Sequence, residues 1–263
     1  MAYSIILIEA SIWNRIINKH SLLRQSTWFP LFFFLLLSTC RPSLVGFYPA
    51  LVASFFLVLS INRLFSSYMK EKALSELFDT GFFIGIATLF YLPAISFIIF
   101  IGAGLFTLRT LNWRDWIVSL IGFLLPFLFT YTYNLVFYPN YGWFAKISNQ
   151  FTYHKINLSF SWEQILVMVI VLFSALLSLW FFVNKITENV VKAQKAWSLM
   201  VWFSVASLIT FILSPVKDSH TLSVFIIPGS FILSAYFLKT KARLLPELLF
   251  ISLLGAIAVS LFL

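Results

Sequence analysis

Long apolar runs, separated by short clusters of charge or by proline, dominate the pattern of hydrophobic and polar positions along this chain. Ten runs qualify as candidate membrane segments. They cover residues 1–14, 28–40, 47–62, 77–91, 94–109, 115–137, 163–184, 196–214, 221–238 and 244–263, the first being incomplete. The pattern predicts an all-α fold, a polytopic transmembrane helix bundle of about nine to ten membrane segments, some of them short or broken by proline. We expect a single integral membrane domain over residues 1–263.

Two stretches depart from the length of an ordinary span. Residues 28–40 would form a helix of about 20 Å, shorter than a hydrocarbon layer of about 30 Å. Residues 77–109 would form one helix of about 50 Å, which is too long, so we place a break at Tyr91, Leu92 and Pro93. A single helix kinked at Pro93 is the alternative.

Glycine and proline positions within the runs also predict how the helices pack. Gly81 and Gly85 are four residues apart and give one helix a small surface, which predicts close packing against another helix of the same chain. Pro126 and Pro228 lie inside their runs, where we expect kinks.

The basic residues are distributed unevenly between the two predicted sides of the membrane. If successive segments alternate in direction, fourteen of the 18 Lys and Arg residues fall on one side. The other side receives only Arg41, Lys146, Lys155 and Lys217. By the positive-inside rule the first side is cytoplasmic, with its loops near 15–24, 63–76, 109–115, 185–195 and 239–243.

Composition supports a membrane protein and excludes several other classes. Hydrophobic residues make up 61% of the chain, charged residues only 10%, and the mean hydropathy is +0.95, which excludes an ordinary soluble protein. The net charge of +9 would suggest nucleic acid in a soluble domain, but here the charges follow the ends of apolar runs, so the expected partner is the lipid bilayer and no nucleic acid is expected. The lone Cys40 excludes an intramolecular disulfide.

The predicted external loop 138–162 is the first candidate for a ligand-binding site. It carries aromatic residues at helical and then alternating spacing, which is typical of a segment lying along the membrane surface. A functional interpretation is a groove for a lipid-linked or amphiphilic ligand, in which Lys146, His154 and Lys155 offer positive charge to a phosphate.

A second candidate is the external turn from Pro215 to His220. Lys217 adds positive charge there, and Asp218 and His220 could form an acid–base pair. The plainer interpretation is that Asp218 or Ser219 caps the helix that begins near Thr221.

Other polar residues at helix starts have a structural interpretation. Asn112 with Asp115 resembles a capping box, and Asp79 is predicted to cap the helix of Gly81 while Lys70 and Lys72 screen its charge. None of these acids is predicted in mid-membrane, which gives little support to proton-coupled transport.

Metal and nucleotide sites are not expected. The three histidines, His20, His154 and His220, are not clustered with other ligands. No phosphate-binding loop or nucleophile elbow is present, so no cofactor is expected.

Two blocks of sequence resemble a known family. They are the run from Leu77 to Tyr91, LFDTGFFIGIATLFY, and the run from Asn112 to Trp116, NWRDW. Over nearly its whole length the chain resembles an uncharacterised family of Bacteroidota polytopic membrane proteins, domain of unknown function 6427. The resemblance implies an inner-membrane protein and supplies no activity. Relatives have a further helix and external loop upstream of the segment Ile5–Asn18, so we expect a truncated N-terminus.

A more distant resemblance is to GT-C-type polytopic glycosyltransferases, which use polyprenyl-phosphate sugars. It rests on the paired short helices around Pro93 and on a basic turn leading into the proline-bearing segment His220–Phe237. Those enzymes place an essential acid in their first external loop, whereas the loop Thr39–Phe47 contains Arg41 and no acid. The sequence therefore favours a non-enzymatic envelope component. The alternatives are a degenerate or partner-dependent GT-C-like protein handling a polyprenyl-phosphate-linked sugar, and a small-molecule transporter.

Overall fold

The computed structural model describes residues 2–23, 25–39, 47–68, 70, 72–108, 112–137, 191–214 and 223–239, together with 247, 250, 251 and 255. Within these residues the fold is all-α, with eight α-helices and no strand. The helices are α1 (Ala2–Lys19), α2 (Phe29–Thr39), α3 (Pro49–Ser66), α4 (Leu74–Phe90), α5 (Ile98–Leu108), α6 (Trp113–Phe137), α7 (Val191–Leu213) and α8 (Ser223–Lys239), and a 3₁₀ helix spans Leu92–Phe97.

The chain divides into two compact units. Unit 1 comprises Met1–Tyr48, Ser159–Val201 and Leu222–Leu263, and unit 2 comprises Pro49–Leu158 and Trp202–Thr221. Helix α7 begins in unit 1 and ends in unit 2.

Eight of the ten predicted segments coincide with α-helices. The segments 163–184 and 244–263 lie outside the described residues, apart from four isolated positions of the second. Three helical stretches are long and apolar enough to cross a membrane, namely Pro49–Ser66, Trp113–Phe137 and Gln194–Leu213. Shorter apolar helices occupy Phe29–Thr39, Leu92–Leu108 and Ser223–Leu238.

Several helices extend beyond the apolar runs from which they were predicted. Helix α1 continues to Lys19, so Arg15 and Lys19, assigned to a loop near 15–24, are helical. The reason is that the buried face of α1 continues through Ile16 and Ile17 while both basic side chains remain exposed. In the same way α3 continues to Ser66 and α7 begins at Val191.

The predicted break at Tyr91, Leu92 and Pro93 is confirmed, and the alternative of a single kinked helix is wrong. Helix α4 closes with a hydrogen bond of 2.9 Å from the Tyr91 amide to the Ala87 carbonyl. Tyr91 itself is extended, with φ −136° and ψ 95°, and the 3₁₀ helix follows with Pro93 in its first turn. Since proline has no amide hydrogen and disfavours helix in the residue before it, the chain changes conformation here.

The predicted packing role of Gly81 and Gly85 is also confirmed. Their helix, α4, packs against α6 within unit 2, with almost no space between the two backbones. A Cβ atom added to Gly81 would lie 2.0 Å from the carbonyl oxygen of Ser119, and one added to Gly85 would lie 2.4 Å from that of Phe123. From the other side, a Cβ on Gly122 would lie 2.2 Å from the carbonyl oxygen of Phe78. Only hydrogen side chains permit this approach.

In unit 1, α2 and α8 pack against each other and run antiparallel. The rings of Phe33 and Phe237 are 4.8 Å apart, whereas Leu37, one turn later in α2, reaches Gly229, two turns earlier in α8. At the other end of α2, Asn18 of α1 exchanges two hydrogen bonds of 3.3 Å with the backbone of Thr27. Helices α1 and α2 therefore form an antiparallel hairpin, and α1 runs parallel to α8.

Candidate functional site

The six residues that the sequence singled out as an external ligand site are Lys146, His154, Lys155, Lys217, Asp218 and His220. All of them lie outside the described residues, as does the aromatic loop 138–162. The predicted capping by Asp218 or Ser219 lies outside them too. These assignments stay predictions.

A group of buried polar side chains lies in the apolar interior of unit 1. We call it the polar seam, and it contains Trp13 of α1 and Ser223, Ser230 and Ser234 of α8. The fully buried Trp13 donates a hydrogen bond of 2.9 Å from its indole Nε1 to the hydroxyl of Ser230. Ser230 in turn donates to the carbonyl oxygen of Ile227 at 2.8 Å. Ser223, Ser230 and Ser234 are spaced by seven and four residues, which places them on one face of α8, and all three are buried.

Glu9 extends this seam along α1, where it is only 1% exposed. It lies four residues before Trp13, on the same stripe of the helix. Because α1 and α8 are parallel and Trp13 meets Ser230, Glu9 lies at about the level of Ile226.

Glu9 is not among the site residues predicted from the sequence, although one feature of the sequence distinguishes it. It is the only ionisable residue between Tyr3 and Arg15, in a run that is otherwise apolar apart from Ser4, Ser11 and Asn14. An acid inside such a run indicates function when it faces protein rather than water. What the sequence alone does not give is the burial of this side chain.

Asn14 is a second buried polar residue of α1. It is 5% exposed, and its Oδ1 atom has no hydrogen-bond partner within the described part of the chain. It lies five residues after Glu9, at the opposite margin of the buried face of α1, so the two side chains do not form one site by themselves.

Unit 2 contains a polar cluster of a different kind. The hydroxyls of Ser96 and Thr210 are hydrogen-bonded to each other, and both lie within hydrogen-bond distance of the carbonyl oxygen of Ala206, at 3.0 and 2.9 Å. All the hydroxyl groups of this cluster are engaged with one another or with the backbone. The cluster therefore attaches the 3₁₀ helix to α7.

Two ion pairs lie near the C-terminal end of α3 and the N-terminal end of α4. Arg63 Nε lies 3.3 Å from a carboxylate oxygen of Asp79, and the Lys70 ammonium is hydrogen-bonded to Glu76. The hydrogen bond from Lys70 lowers the pKa of the Glu76 carboxyl, against a smaller opposing effect of burial.

The predicted cap at Asp79 is wrong. Helix α4 begins at Leu74, so Asp79 lies more than a turn inside it, and its partner is Arg63 rather than free backbone amides. The helix can begin earlier because Glu76 in the first turn is favourable to the helix dipole. By contrast, Asn112 does cap α6, since its Oδ1 accepts a hydrogen bond of 3.3 Å from the amide of Arg114.

No group of three or more His, Cys, Asp or Glu residues that could hold a metal ion occurs among the residues that the structure describes.

Comparison with known proteins gives one result. No curated protein matches the chain, and no solved structure matches it. Residues 1–262 match the family described as Family of unknown function (DUF6427), which covers essentially the whole sequence. The chain therefore belongs to the DUF6427 family, as the LFDTGFFIGIATLFY and NWRDW blocks had suggested.

Proposed function

We propose that this protein is a multi-pass component of the bacterial inner membrane, with nine to ten membrane segments and no enzymatic activity of its own. The observation that carries the membrane assignment is the surface of α6. Its 25 residues span about 37 Å, enough to cross a hydrocarbon layer of about 30 Å.

Against the rest of the described residues, helix α6 packs through one narrow face. Only 17% of its most apolar 18 residues are buried. Large apolar side chains cover the rest, including Leu124, Leu128 and Phe129, which are 58%, 56% and 59% exposed. Exposed apolar surface on this scale is unfavourable in water but matches a lipid environment.

The orientation follows from the basic residues. The side that carries fourteen of the 18 Lys and Arg residues, including Arg63, Lys70 and Lys72, is assigned to the cytoplasm. The loop containing Lys146, His154 and Lys155 and the turn containing Lys217, Asp218 and His220 are then periplasmic. There they could hold an anionic, lipid-linked or amphiphilic ligand against the membrane surface.

Cysteine accessibility tests this orientation directly, because Cys40 is the only cysteine. In a Cys40→Ser background, Lys72→Cys and Asn149→Cys are expressed separately and treated with a membrane-impermeant maleimide in cells with a permeable outer membrane. We expect Asn149→Cys to be modified and Lys72→Cys to be protected until the inner membrane is lysed. Modification of Lys72→Cys alone in unlysed cells would reverse the proposed orientation.

The GT-C-like alternative makes a separate prediction about lipid. If the protein handles a polyprenyl-phosphate sugar, that lipid should co-purify with it and be detected by mass spectrometry. Absence of the lipid, together with no binding when polyprenyl phosphate is added, would leave the non-enzymatic proposal in place.

A further inference from the structure

We propose that the exposed face of α1 binds an anionic phospholipid of the cytoplasmic leaflet. Arg15 and Lys19 hold its phosphate, and the apolar side chains that precede them on this face lie along its acyl chains. The choice of leaflet rests on the membrane orientation proposed above, whereas the binding site rests on the geometry of one helix. The proposal adds a specific lipid contact on the side opposite to the predicted external ligand residues.

Arg15 and Lys19 form a pair of like charges on one face of α1. They lie four residues apart in a continuous helix, so their Cβ atoms are about 5–6 Å apart, and both side chains are exposed. Two cations at this spacing repel each other and destabilise a helix. An anion between them removes this repulsion, and a phosphate accepts hydrogen bonds from a guanidinium and from an ammonium group.

The described part of unit 1 provides no anionic partner for this pair. Its acidic residues are Glu9 and Glu247. Glu9 is buried and lies about 120° around the axis of α1 from Arg15. Within the part of the chain that the structure describes, neither Arg15 nor Lys19 forms an ion pair or a side-chain hydrogen bond. Both cations are therefore open to a phosphate that approaches the exposed face.

The end of α1 does not need these two side chains as caps. Basic side chains in a last turn can bond the final carbonyl oxygens of a helix. Here backbone amides do so, because those of His20, Ser21 and Leu22 donate to carbonyl oxygens of the last turn at 3.0, 3.1 and 3.0 Å. Ser21 has a φ of 51°, the left-handed conformation typical of a helix closed in this way. The guanidinium and the ammonium remain available to a ligand.

The same face of α1 is largely apolar on the N-terminal side of Arg15. Leu7 and Ile8 lie about two turns before Arg15 and are 53% and 52% exposed. Ser11 lies between them and Arg15, and its hydroxyl donates to the Leu7 carbonyl at 2.7 Å, so it can face lipid with its donor satisfied. A lipid whose phosphate lies at Arg15 and Lys19 therefore has an apolar helix surface for its acyl chains.

Trp28 indicates the depth of this face in the membrane. Asn18 of α1 exchanges hydrogen bonds with the backbone of Thr27, so the next residue, Trp28, lies near the level of the last turn of α1. The Trp28 side chain is 75% exposed. An exposed indole is favoured at the membrane–water interface, where its ring is partly buried and its N–H reaches polar groups. Arg15 and Lys19 therefore lie near the depth at which lipid phosphates occur.

Photo-crosslinking of the full-length protein in liposomes tests the site. The probe is a phosphatidylglycerol, an anionic lipid, with a photoreactive diazirine in one acyl chain, present in both leaflets below saturation. Peptide mass spectrometry measures the adduct on α1. We expect an adduct at the level of Leu7 and Ile8 that unlabelled phosphatidylglycerol competes away and that zwitterionic phosphatidylethanolamine does not.

Variants of the two cations give the decisive comparison. Each basic residue near an anionic lipid contributes about fivefold to binding, so Arg15→Gln combined with Lys19→Gln should reduce the α1 adduct at least about fivefold. Arg15→Lys combined with Lys19→Arg keeps both charges and should retain most of the adduct. The matched control is Lys72→Gln combined with Arg114→Gln, which removes two exposed cations from the same predicted side and should leave the α1 adduct unchanged.

Two results would overturn the site. One is an equal α1 adduct in the two glutamine double variants, which would mean that the probe reports general exposure to lipid or general attraction by positive charge. The other is equal competition by the two unlabelled lipids. Since the probe occupies both leaflets, the adduct does not depend on orientation. A reversed result in the cysteine assay with the expected adduct would overturn only the assignment to the cytoplasmic leaflet.

Discussion

The contact between α4 and α6 in unit 2 and the contact between α1 and α8 in unit 1 use opposite chemistry. The first is made by glycines that bring two backbones together, with no room for a single added carbon. The second contains the hydrogen bond from the fully buried indole of Trp13 to the hydroxyl of Ser230. Lipid offers no hydrophobic driving force between helices, so association must come from close packing or from polar interactions, and these two contacts use one each.

The two contacts also differ in the side chains that lie beside them. The close glycine contact is made with backbone atoms of Phe78, Ser119 and Phe123, so we expect substitutions there to change mainly stability. The seam of unit 1 contains the buried carboxyl of Glu9, and α1 is attached to α8 by the hydrogen bond from Trp13 to Ser230. Substitutions at the two contacts should therefore differ in the property that they change and in the size of their effect on the free energy of unfolding.

The largest effect is expected at Trp13. Trp13→Ala leaves a cavity in place of a fully buried indole, which should reduce the free energy of unfolding by about 3–5 kcal/mol. The measurement is reversible denaturant unfolding in mild detergent. Trp13→Phe is the matched variant, since it keeps a ring and loses mainly the hydrogen bond, worth about 1 kcal/mol. Equal stability of the two variants would mean that the ring does not support the seam.

A smaller loss is expected at Gly81. Gly81→Ala places a Cβ against the backbone of Ser119, which cannot rotate away, so the helices must separate, with a loss of about 1–3 kcal/mol. The control is Gly102→Ala, because the nearest atoms to its added Cβ belong to the Trp116 side chain, at 3.4 and 3.5 Å.

Gly102→Ala should be neutral or stabilising by up to about 1 kcal/mol, since alanine favours helix over glycine. Similar losses for both glycine variants would contradict the close backbone contact between α4 and α6.

The smallest effect is expected at the ion pair of Lys70 and Glu76, which belongs to neither contact. Because the folded-state pKa of Glu76 is lowered, its contribution is present above the ordinary pKa of a glutamate and is lost as the pH falls through the folded value. The Lys70 side chain is 53% exposed, so the contribution should stay under about 1 kcal/mol.

Glu76→Gln tests this dependence. Its melting temperature should lie slightly below that of the wild type at neutral pH, and the difference should disappear in acid. Lys70→Met should behave in the same way. A difference that grows as the pH falls would contradict the assigned direction.

Much of the helical layout could be predicted from sequence, because apolar periodicity and proline act locally. The break at Pro93 and the packing of Gly81 against a partner helix follow from the residues themselves. The helix ends were less predictable, since Arg15 and Lys19 continue a helix whose buried face is set by tertiary contacts. The predicted cap at Asp79 failed for a related reason, because its partner Arg63 belongs to another helix.

The candidate site illustrates the same limit. The carboxyl of Glu9 is visible in the sequence, but whether it faces lipid, water or protein depends on which helix lies against α1. That information comes from Trp13 meeting Ser230, more than two hundred residues apart. The external residues Lys146, His154 and His220 were chosen for their charge in a polar loop, a criterion that cannot detect an acid inside an apolar helix.

The glycine contact of α4 and α6 has a consequence for how this gene can vary. Every single-nucleotide change that replaces glycine adds at least one carbon atom, so nearly every missense mutation at codons 81, 85 and 122 should be purged from a library selected for folded protein. These three codons should therefore be among the least tolerant in a saturation mutagenesis experiment, even though their side chains take part in no reaction.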